Sequence, residues 1–325
     1  MSNNLHFFTG EDTYRLQELV KGWKNAFLEK HGDLNLSILS IEDHTIPEMI
    51  SQIETAPFLG DKRLIFLEGL PESASTGKKR DAGITPEQEE ALLKVVQSLP
   101  ETSIVVLVQP NPDKRKSLYK KLVQLATVKS FESLKGAGLS NWVQRQSSKY
   151  NGKIDAATAL HLVSYAGEDL WKLDREIEKM ATYAGDQSIP RDTIEELVIP
   201  TNEANLFRLT DALSVKNTNA ALKELNRLQV AGESMHQVLY MLARQIRILI
   251  QIKETSDPSS LKLHPFVLRN ASSQAKNFTT DALKKAHADL VAIDVAVKTG
   301  AIKTTTDDES ELALAMERFM ISLKT

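Results

Sequence analysis

Nucleotide-binding α/β domains usually hold the phosphate groups in the turn after the first strand, and here that turn reads TGED at residues 9–12. In nucleotide-binding domains this turn is rich in glycine, so that backbone amides hold the phosphates, and it carries a lysine that reaches the terminal ones. This turn has one glycine, two acids and no lysine. The Gly77-Lys78 pair further along lacks the glycine five residues before it. The sequence therefore predicts a fold of the nucleotide-binding type that holds no nucleotide.

Other catalytic arrangements are missing from the sequence as well. There is no cysteine, none of the seven histidines has metal-ligand spacing to another, and no GxSxG nucleophile elbow occurs. Glu68 ends an apolar run where an active ATPase places an Asp-Glu pair for magnesium and water. A single acid at that point is more typical of a solvated strand end. We expect no catalytic residue, no metal and no cofactor in this chain.

One apolar stretch is a candidate for binding, ETAPFLGDKRLIFLE at residues 54–68. Pro57 blocks the helix before it, and Phe58 and Leu59 stand just ahead of a polar turn that leads into a buried strand. Two large apolar residues at a helix end either close the core or project as an anchor for a partner, since aromatic anchors dominate interface energies. Composition alone favours the core.

A second candidate is the basic run in NPDKRKSLYKK at residues 111–121. A helix here would turn Leu118 and Leu122 inward and the cations to solvent. A solvated helix face is the favoured interpretation, and contact with DNA phosphates or an acidic partner is the alternative. The cations are Lys114, Arg115, Lys116, Lys120 and Lys121.

Composition limits the class of protein. A chain of 325 residues fits two or three domains, and 42% hydrophobic with 26% charged residues is ordinary for a globular protein. With a net charge of −3 and no strongly basic segment, an autonomous DNA-binding module is not expected. The lack of cysteine suits a reducing compartment, and neither a signal sequence nor a membrane-spanning apolar stretch is present. We expect a cytoplasmic protein without a membrane partner.

The elements that would position these residues follow from periodicity. Apolar strand patterns at 5–8, 34–41, 63–67, 103–108 and 127–131 alternate with helical ones, which predicts a parallel sheet covered by helices. Two helices begin with a capping box followed by proline, at Thr45 and at Thr85.

Strand patterns stop near residue 134, so the fold class is α/β plus all-α. We predict an α/β module at 1–135, a small helical domain at 136–200 and a larger helical domain at 201–325, with a linker at 199–205. Residues 235–254 form a helix that is apolar on a broad face, which we take as a sign that the last domain mediates assembly.

Several of these stretches, in their order and spacing, resemble the delta subunit of the bacterial DNA polymerase III clamp loader over essentially the whole chain. They are FFTGEDTYRL, APFLGDKRLIFLE, VVLVQPNPDKRKSLYKKL, GKIDAATALHLVSYAGEDLWKLDREIEKMATYAG, NLFRLTDALSVKNTNAALKELNRL and MLARQIRILIQIKE. The resemblance implies an AAA+-like parallel-sheet module without a functional phosphate loop, then a helical lid and a helical collar for oligomerisation.

The resemblance also implies a function. A delta subunit takes part in DNA replication as a non-ATPase subunit of a DNA-directed DNA polymerase (nucleotidyltransferase) holoenzyme; it binds the sliding clamp (beta) and opens its ring. Its partners would be the ATPase (gamma/tau) and delta-prime subunits, with primed DNA reached through the assembled complex. The family's clamp-contacting apolar pair falls on Pro57-Phe58, with Leu59 adjacent. The resemblance therefore implies that Phe58 contacts the clamp together with either Pro57 or Leu59. The alternatives are an ATP-independent AAA+-like scaffold without clamp contact and an active nucleotide-dependent enzyme.

Overall fold

The chain separates into two compact units, Met1–Leu134 and Lys135–Thr325. This computed structural model describes residues 4–71, 84–261, 263, 265–305 and 308–323. The Gly77-Lys78 pair lies outside the described residues. None of the described helices combines the length and hydropathy needed to span a membrane.

The first unit is built on a five-stranded parallel sheet with strand order β2-β3-β4-β1-β5. The strands are β1 (Leu5–Gly10), β2 (Leu36–Ser40), β3 (Arg63–Glu68), β4 (Ser103–Pro110) and β5 (Thr127–Phe131). Residues 64–67 of β3 and 105–108 of β4 are fully buried, because the sheet is covered on both faces. The predicted parallel sheet is confirmed. Together with the helices described below, it also confirms the predicted fold class of α/β plus all-α.

Four helices cover this sheet, α1 (Thr13–His31), α2 (Ile46–Glu54), α3 (Pro86–Gln97) and α4 (Ser117–Leu125). Side chains alternate across each strand, so Phe66 packs with α1 on one face while Ile65 packs with the other three helices on the opposite face. Both predicted capping boxes are present, at Thr45 and at Thr85. These caps fix where α2 and α3 begin.

The second unit is helical in its described residues, apart from an isolated bridge between Lys153 and Ser188. Its elements are α5 (Ala137–Lys149), α6 (Ala156–Ala166), α7 (Leu170–Ala184), α8 (Arg191–Leu197), α9 (Asn202–Ser214), α10 (Thr218–Val230), α11 (Met235–Glu254), a 3-10 turn (Pro258–Leu261), α12 (Pro265–Ala275), α13 (Thr280–Lys298) and α14 (Ser310–Ser322).

The predicted linker at 199–205 is wrong in length. Helix α9 begins at Asn202, with Thr201 as its N-cap. The Thr201 amide also donates to the carbonyl of Tyr165 at 2.8 Å, and the Arg208 guanidinium lies 4.6 Å from the centre of the Tyr165 ring. The helices on either side of the junction are therefore tied together. A separate lid (136–200) and collar (201–325) remains a prediction.

The prediction that the broad apolar face of α11 indicates a partner surface is wrong, because most of that face is covered by neighbouring helices. Most of its large apolar residues, among them Leu242 and Leu249, are buried in the core that α11 shares with its neighbouring helices, whereas Tyr240 is 68% exposed. Periodicity indicates that a face is buried, but it does not say against what. The role of 201–325 in assembly remains a prediction on other grounds.

Candidate functional site

The turn after β1 is closed by its own neighbours. The Thr9 hydroxyl donates to the carbonyl of Gln109 at 2.8 Å, and Thr9 is buried. Gly10 has φ of 131°, and a Cβ there would lie 2.2 Å from the carbonyl oxygen of Phe131. The glycine is therefore explained by the close passage of β5, without a phosphate.

The positive end of α1 is occupied by a carboxylate of the chain itself. Helix N-termini attract anions because their first amides are unpaired and their dipole is positive there. Here Asp12 is the N-cap, accepting from the Arg15 amide at 2.9 Å and pairing with Arg15 Nε at 2.5 Å. The amides of Asp12 and Thr13 donate to the carbonyls of Phe131 and Glu11. A phosphate at this position would have to displace the buried Asp12 carboxylate from its partly exposed ion pair with Arg15.

The strand-end acid Glu68 is paired as well. Its Oε1 lies 3.6 Å from Lys24 Nζ, and that ammonium sits 5.1 Å from the centre of the Phe66 ring. Both side chains are partly exposed, so the pair is a modest surface contact. Glu68 thus has the local role expected of a strand end.

The loop between α2 and β3 exposes two neighbouring apolar side chains, those of Phe58 and Leu59. Helix α2 ends at Glu54, close to the end near Thr55 that the sequence predicts, and Phe58 and Leu59 lie in the bend that follows it. Phe58 is 61% exposed and Leu59 is 90% exposed, while Pro57 is only partly so. The expectation from composition that this pair closes the core is wrong. The two side chains project into solvent.

Leu59 is an unusual residue for its place in this loop. Its φ is 47°, in the left-handed region that leucine rarely adopts. A non-glycine residue held there costs about 1–3 kcal/mol, and such residues concentrate at functional sites. Glycine or asparagine would fit the backbone better, and the exposed side chain adds little packing in return.

The loop is nevertheless held by buried polar groups. The side-chain amide of Asn35, 3% exposed, donates to the carbonyl of Phe58 at 2.9 Å and accepts from its amide at 2.7 Å. Where β3 begins, Arg63 donates to Ser37 at 2.9 Å and to Gln52 at 2.6 Å. These contacts join the loop to β2 and to the last turn of α2.

The basic run has most of its charge compensated by acids. Lys114 lies 3.6 Å from Glu132, and Lys121 lies 2.8 Å from Glu89. Arg115 makes a 2.9 Å ion pair with Asp113, and its hydrogen bonds lower the pKa of that carboxyl to about 2.

Only part of the basic run is helical. Helix α4 begins at Ser117, so Lys114, Arg115 and Lys116 precede it, and only Lys120 and Lys121 lie on the helix. Leu118 and Leu122 are buried, as predicted. The paired charges favour a solvated surface, and contact of this run with DNA or a partner remains a prediction.

Asn35 and Arg63 are residues that the sequence analysis missed. An asparagine beside a strand pattern is usually taken for a turn residue, and Arg63 was counted only as the start of a strand. The turn GDK after Phe58-Leu59 gave no sign that two side chains from other elements would hold the loop.

The comparisons with known proteins agree with one another. Residues 6–132 match the family DNA polymerase III, delta subunit, and residues 203–310 match the DNA polymerase III delta subunit, C-terminal domain. DNA polymerase III subunit delta of Bacillus subtilis (strain 168) is 26% identical over 326 residues, covering 97% of this chain and 91% of that protein. The probable DNA polymerase III subunit delta of Aquifex aeolicus (strain VF5) is 22% identical over 262 residues, covering 76% and 70% respectively.

A solved structure extends this likeness to the fold of nearly the whole chain. The Bacillus subtilis DNA clamp loader delta protein superposes with a TM-score of 0.58 at 26% identity, covering 99% of this chain and 95% of that one. The two matched segments contain, respectively, the five-stranded sheet with its closed first turn and most of helices α9 to α13. The chain therefore belongs to the family of delta subunits of the DNA polymerase III clamp loader.

Proposed function

We propose that this delta subunit binds the sliding clamp through Phe58 and Leu59 and opens one interface of the ring. The observation that carries the proposal is Leu59, whose backbone is left-handed and whose side chain is 90% exposed. Such a residue adds strain and little packing to the isolated fold, so a role outside the fold explains it best. The exposures favour Leu59 over Pro57 as the companion of Phe58.

The size of this apolar pair suits the task. A closed ring opens when a partner binds the open form better than the closed one. A shift from 1:99 to 99:1 needs about 5.5 kcal/mol of differential binding. Complete burial of one leucine or phenylalanine contributes about 1.5–3 kcal/mol, so two of them supply energy on that scale.

The closed turn after β1 supports opening without nucleotide. Its amides and the end of α1 are engaged by the chain itself, so binding energy in this subunit has to come from contact with the clamp. In this proposal ATP acts through the gamma/tau subunits, delta-prime completes the loader, and primed DNA is reached through the assembled complex.

The test is a titration of the cognate clamp with Phe58→Ala. Truncating an interface anchor costs about 2–4 kcal/mol, so clamp binding should weaken by about 30- to 1,000-fold. Because the ring is 61% exposed, the melting temperature should stay near that of the parent chain. Tyr183 has the same exposure in the second unit, so Tyr183→Ala is the matched control and should bind normally.

Ring opening needs its own measurement, made without ATP. Fluorophores placed across one interface of the clamp should lose energy transfer when the parent chain is added, and much less when Phe58→Ala is added at equal concentration. Normal clamp binding by Phe58→Ala would contradict the proposed site. If the parent chain itself does not bind the clamp, the subunit is a scaffold without clamp contact.

A further inference from the structure

We propose that Asn35 is a positioning residue for the clamp-binding loop, and this inference rests on the proposed function. Its buried amide engages both backbone polar groups of Phe58, at 2.7 Å and 2.9 Å. The loop is thereby held in its projecting conformation before the clamp arrives.

The side chain of Asn35 makes the two hydrogen bonds to Phe58 that the backbone of a neighbouring strand would otherwise make. The carbonyl of Asn35 accepts from the Leu64 amide at 2.9 Å, at the edge of the pairing between β2 and β3. Phe58 lies beyond this point, where no backbone of β2 pairs with it. A carboxamide carries a donor and an acceptor in one plane, as a peptide group does, so it can satisfy the amide and the carbonyl of one residue together. Leucine has neither group, and aspartate lacks the donor.

The position of Asn35 explains why the strained conformation persists. Leu59 follows Phe58 directly, and a loop free to move would leave the left-handed region. If the binding-competent conformation were populated only in part, the apparent dissociation constant would rise in inverse proportion to that fraction. Holding Phe58 from both sides keeps the fraction high.

Gly60 offers a way to disturb this contact without changing Asn35. A Cβ on Gly60 would lie 2.9 Å from Asn35 Nδ2, which is the end of a side chain and can turn away. The φ of Gly60 is not in the left-handed region, so alanine brings no backbone strain of its own. Gly22 in α1 has no heavy atom within 4 Å of its Cβ position, so Gly22→Ala is a matched control.

The experiment uses the full chain and its cognate clamp. Asn35→Leu and Gly60→Ala are compared with Gly22→Ala and the parent chain by clamp titration, thermal melting and hydrogen exchange of the Phe58 amide. Losing both hydrogen bonds should weaken clamp binding by about 5- to 150-fold, which is the range expected for two net hydrogen bonds. The Phe58 amide hydrogen should exchange faster in both variants than in the parent chain, and its exchange rate should be unchanged in Gly22→Ala. If Asn35→Leu does not fold, Gly60→Ala decides alone.

A double variant separates positioning from general damage to the domain. If Asn35 acts through the anchor, Gly60→Ala should cost clearly less in a Phe58→Ala background than in the parent chain. The inference is overturned if the Phe58 amide loses protection while clamp binding stays normal, or if binding weakens while protection is kept. When Phe58→Ala weakens binding and Gly60→Ala does not, only this inference fails. Normal binding by Phe58→Ala defeats the proposed function instead.

Discussion

Replacing Leu59 by asparagine should make the protein more stable and a weaker clamp binder. Asparagine adopts the left-handed conformation several-fold more readily than most residues, because its short polar side chain bonds locally. The φ of 47° should therefore be kept at lower cost, and at 90% exposure the lost apolar contacts within the fold are few. The bound complex, by contrast, loses a buried leucine.

Both magnitudes follow from the position of this residue. Relief of a left-handed leucine should add about 1 kcal/mol to the free energy of unfolding, taking the lower end of the usual range. For a unit of this size that corresponds to a rise in melting temperature of roughly 2–5 °C. Loss of a fully buried leucine from the complex costs about 1.5–3 kcal/mol, which is about 10- to 100-fold in affinity.

The assay is calorimetric melting and clamp titration on one preparation of Leu59→Asn. Ile199→Asn is the control, since Ile199 is 76% exposed without a positive φ and lies in the second unit. It should gain no stability and bind the clamp normally. A melting temperature that falls by several degrees in Leu59→Asn would mean that the leucine packs within the fold. A rise in stability with unchanged clamp affinity would show that the strain serves another purpose.

Three further predictions concern the rest of the chain. Labelled ATP with magnesium should not bind the isolated chain in equilibrium dialysis. It should not bind the Asp12→Ala variant either, which should lose about 1 kcal/mol of stability because the N-cap of α1 is removed. Saturable binding at micromolar ATP would refute this prediction. Lys120→Glu should change the affinity of the assembled loader for primed DNA by less than about threefold, whereas a phosphate contact would lower the slope of log affinity against log salt by about one. Residues 1–134 expressed alone should bind the clamp with an affinity within a few-fold of that of the full chain, but should not join the loader in size-exclusion chromatography. Loss of clamp binding by the folded fragment would place essential contacts beyond residue 134.

Local patterns in the sequence were enough to place the secondary structure. All five strands lie within two residues of their predicted ends, because buried parallel strands form apolar runs bounded by turns. Thr45 and Thr85 gave the starts of α2 and α3, since a capping box with proline is specific to a helix N-terminus. The helix at 235–254 was found with its observed bounds.

Tertiary context decided what the local patterns could not. The contact between Tyr165 and Arg208, which joins the helices across the predicted linker, links residues 43 apart and leaves no local sign. Burial of α11 depends on neighbours that periodicity does not identify. In the loop after α2, apolar composition suggested the core, yet Phe58 and Leu59 are exposed because Asn35, 23 residues earlier than Phe58, holds the backbone outward.

The turn after β1 and the loop after α2 differ in a way that bears on function. In the turn, the backbone amides that nucleotide-binding α/β domains in general leave open for phosphate are paired within the chain, and Asp12 lies where an anion would bind. In the loop, apolar groups that a fold would normally bury are exposed, on a backbone that disfavours leucine. Residues that lower local stability are expected mainly at functional sites, because elsewhere in a protein the residue types agree with the local structure. By that criterion we expect this subunit to meet its partner at the loop and not at the turn.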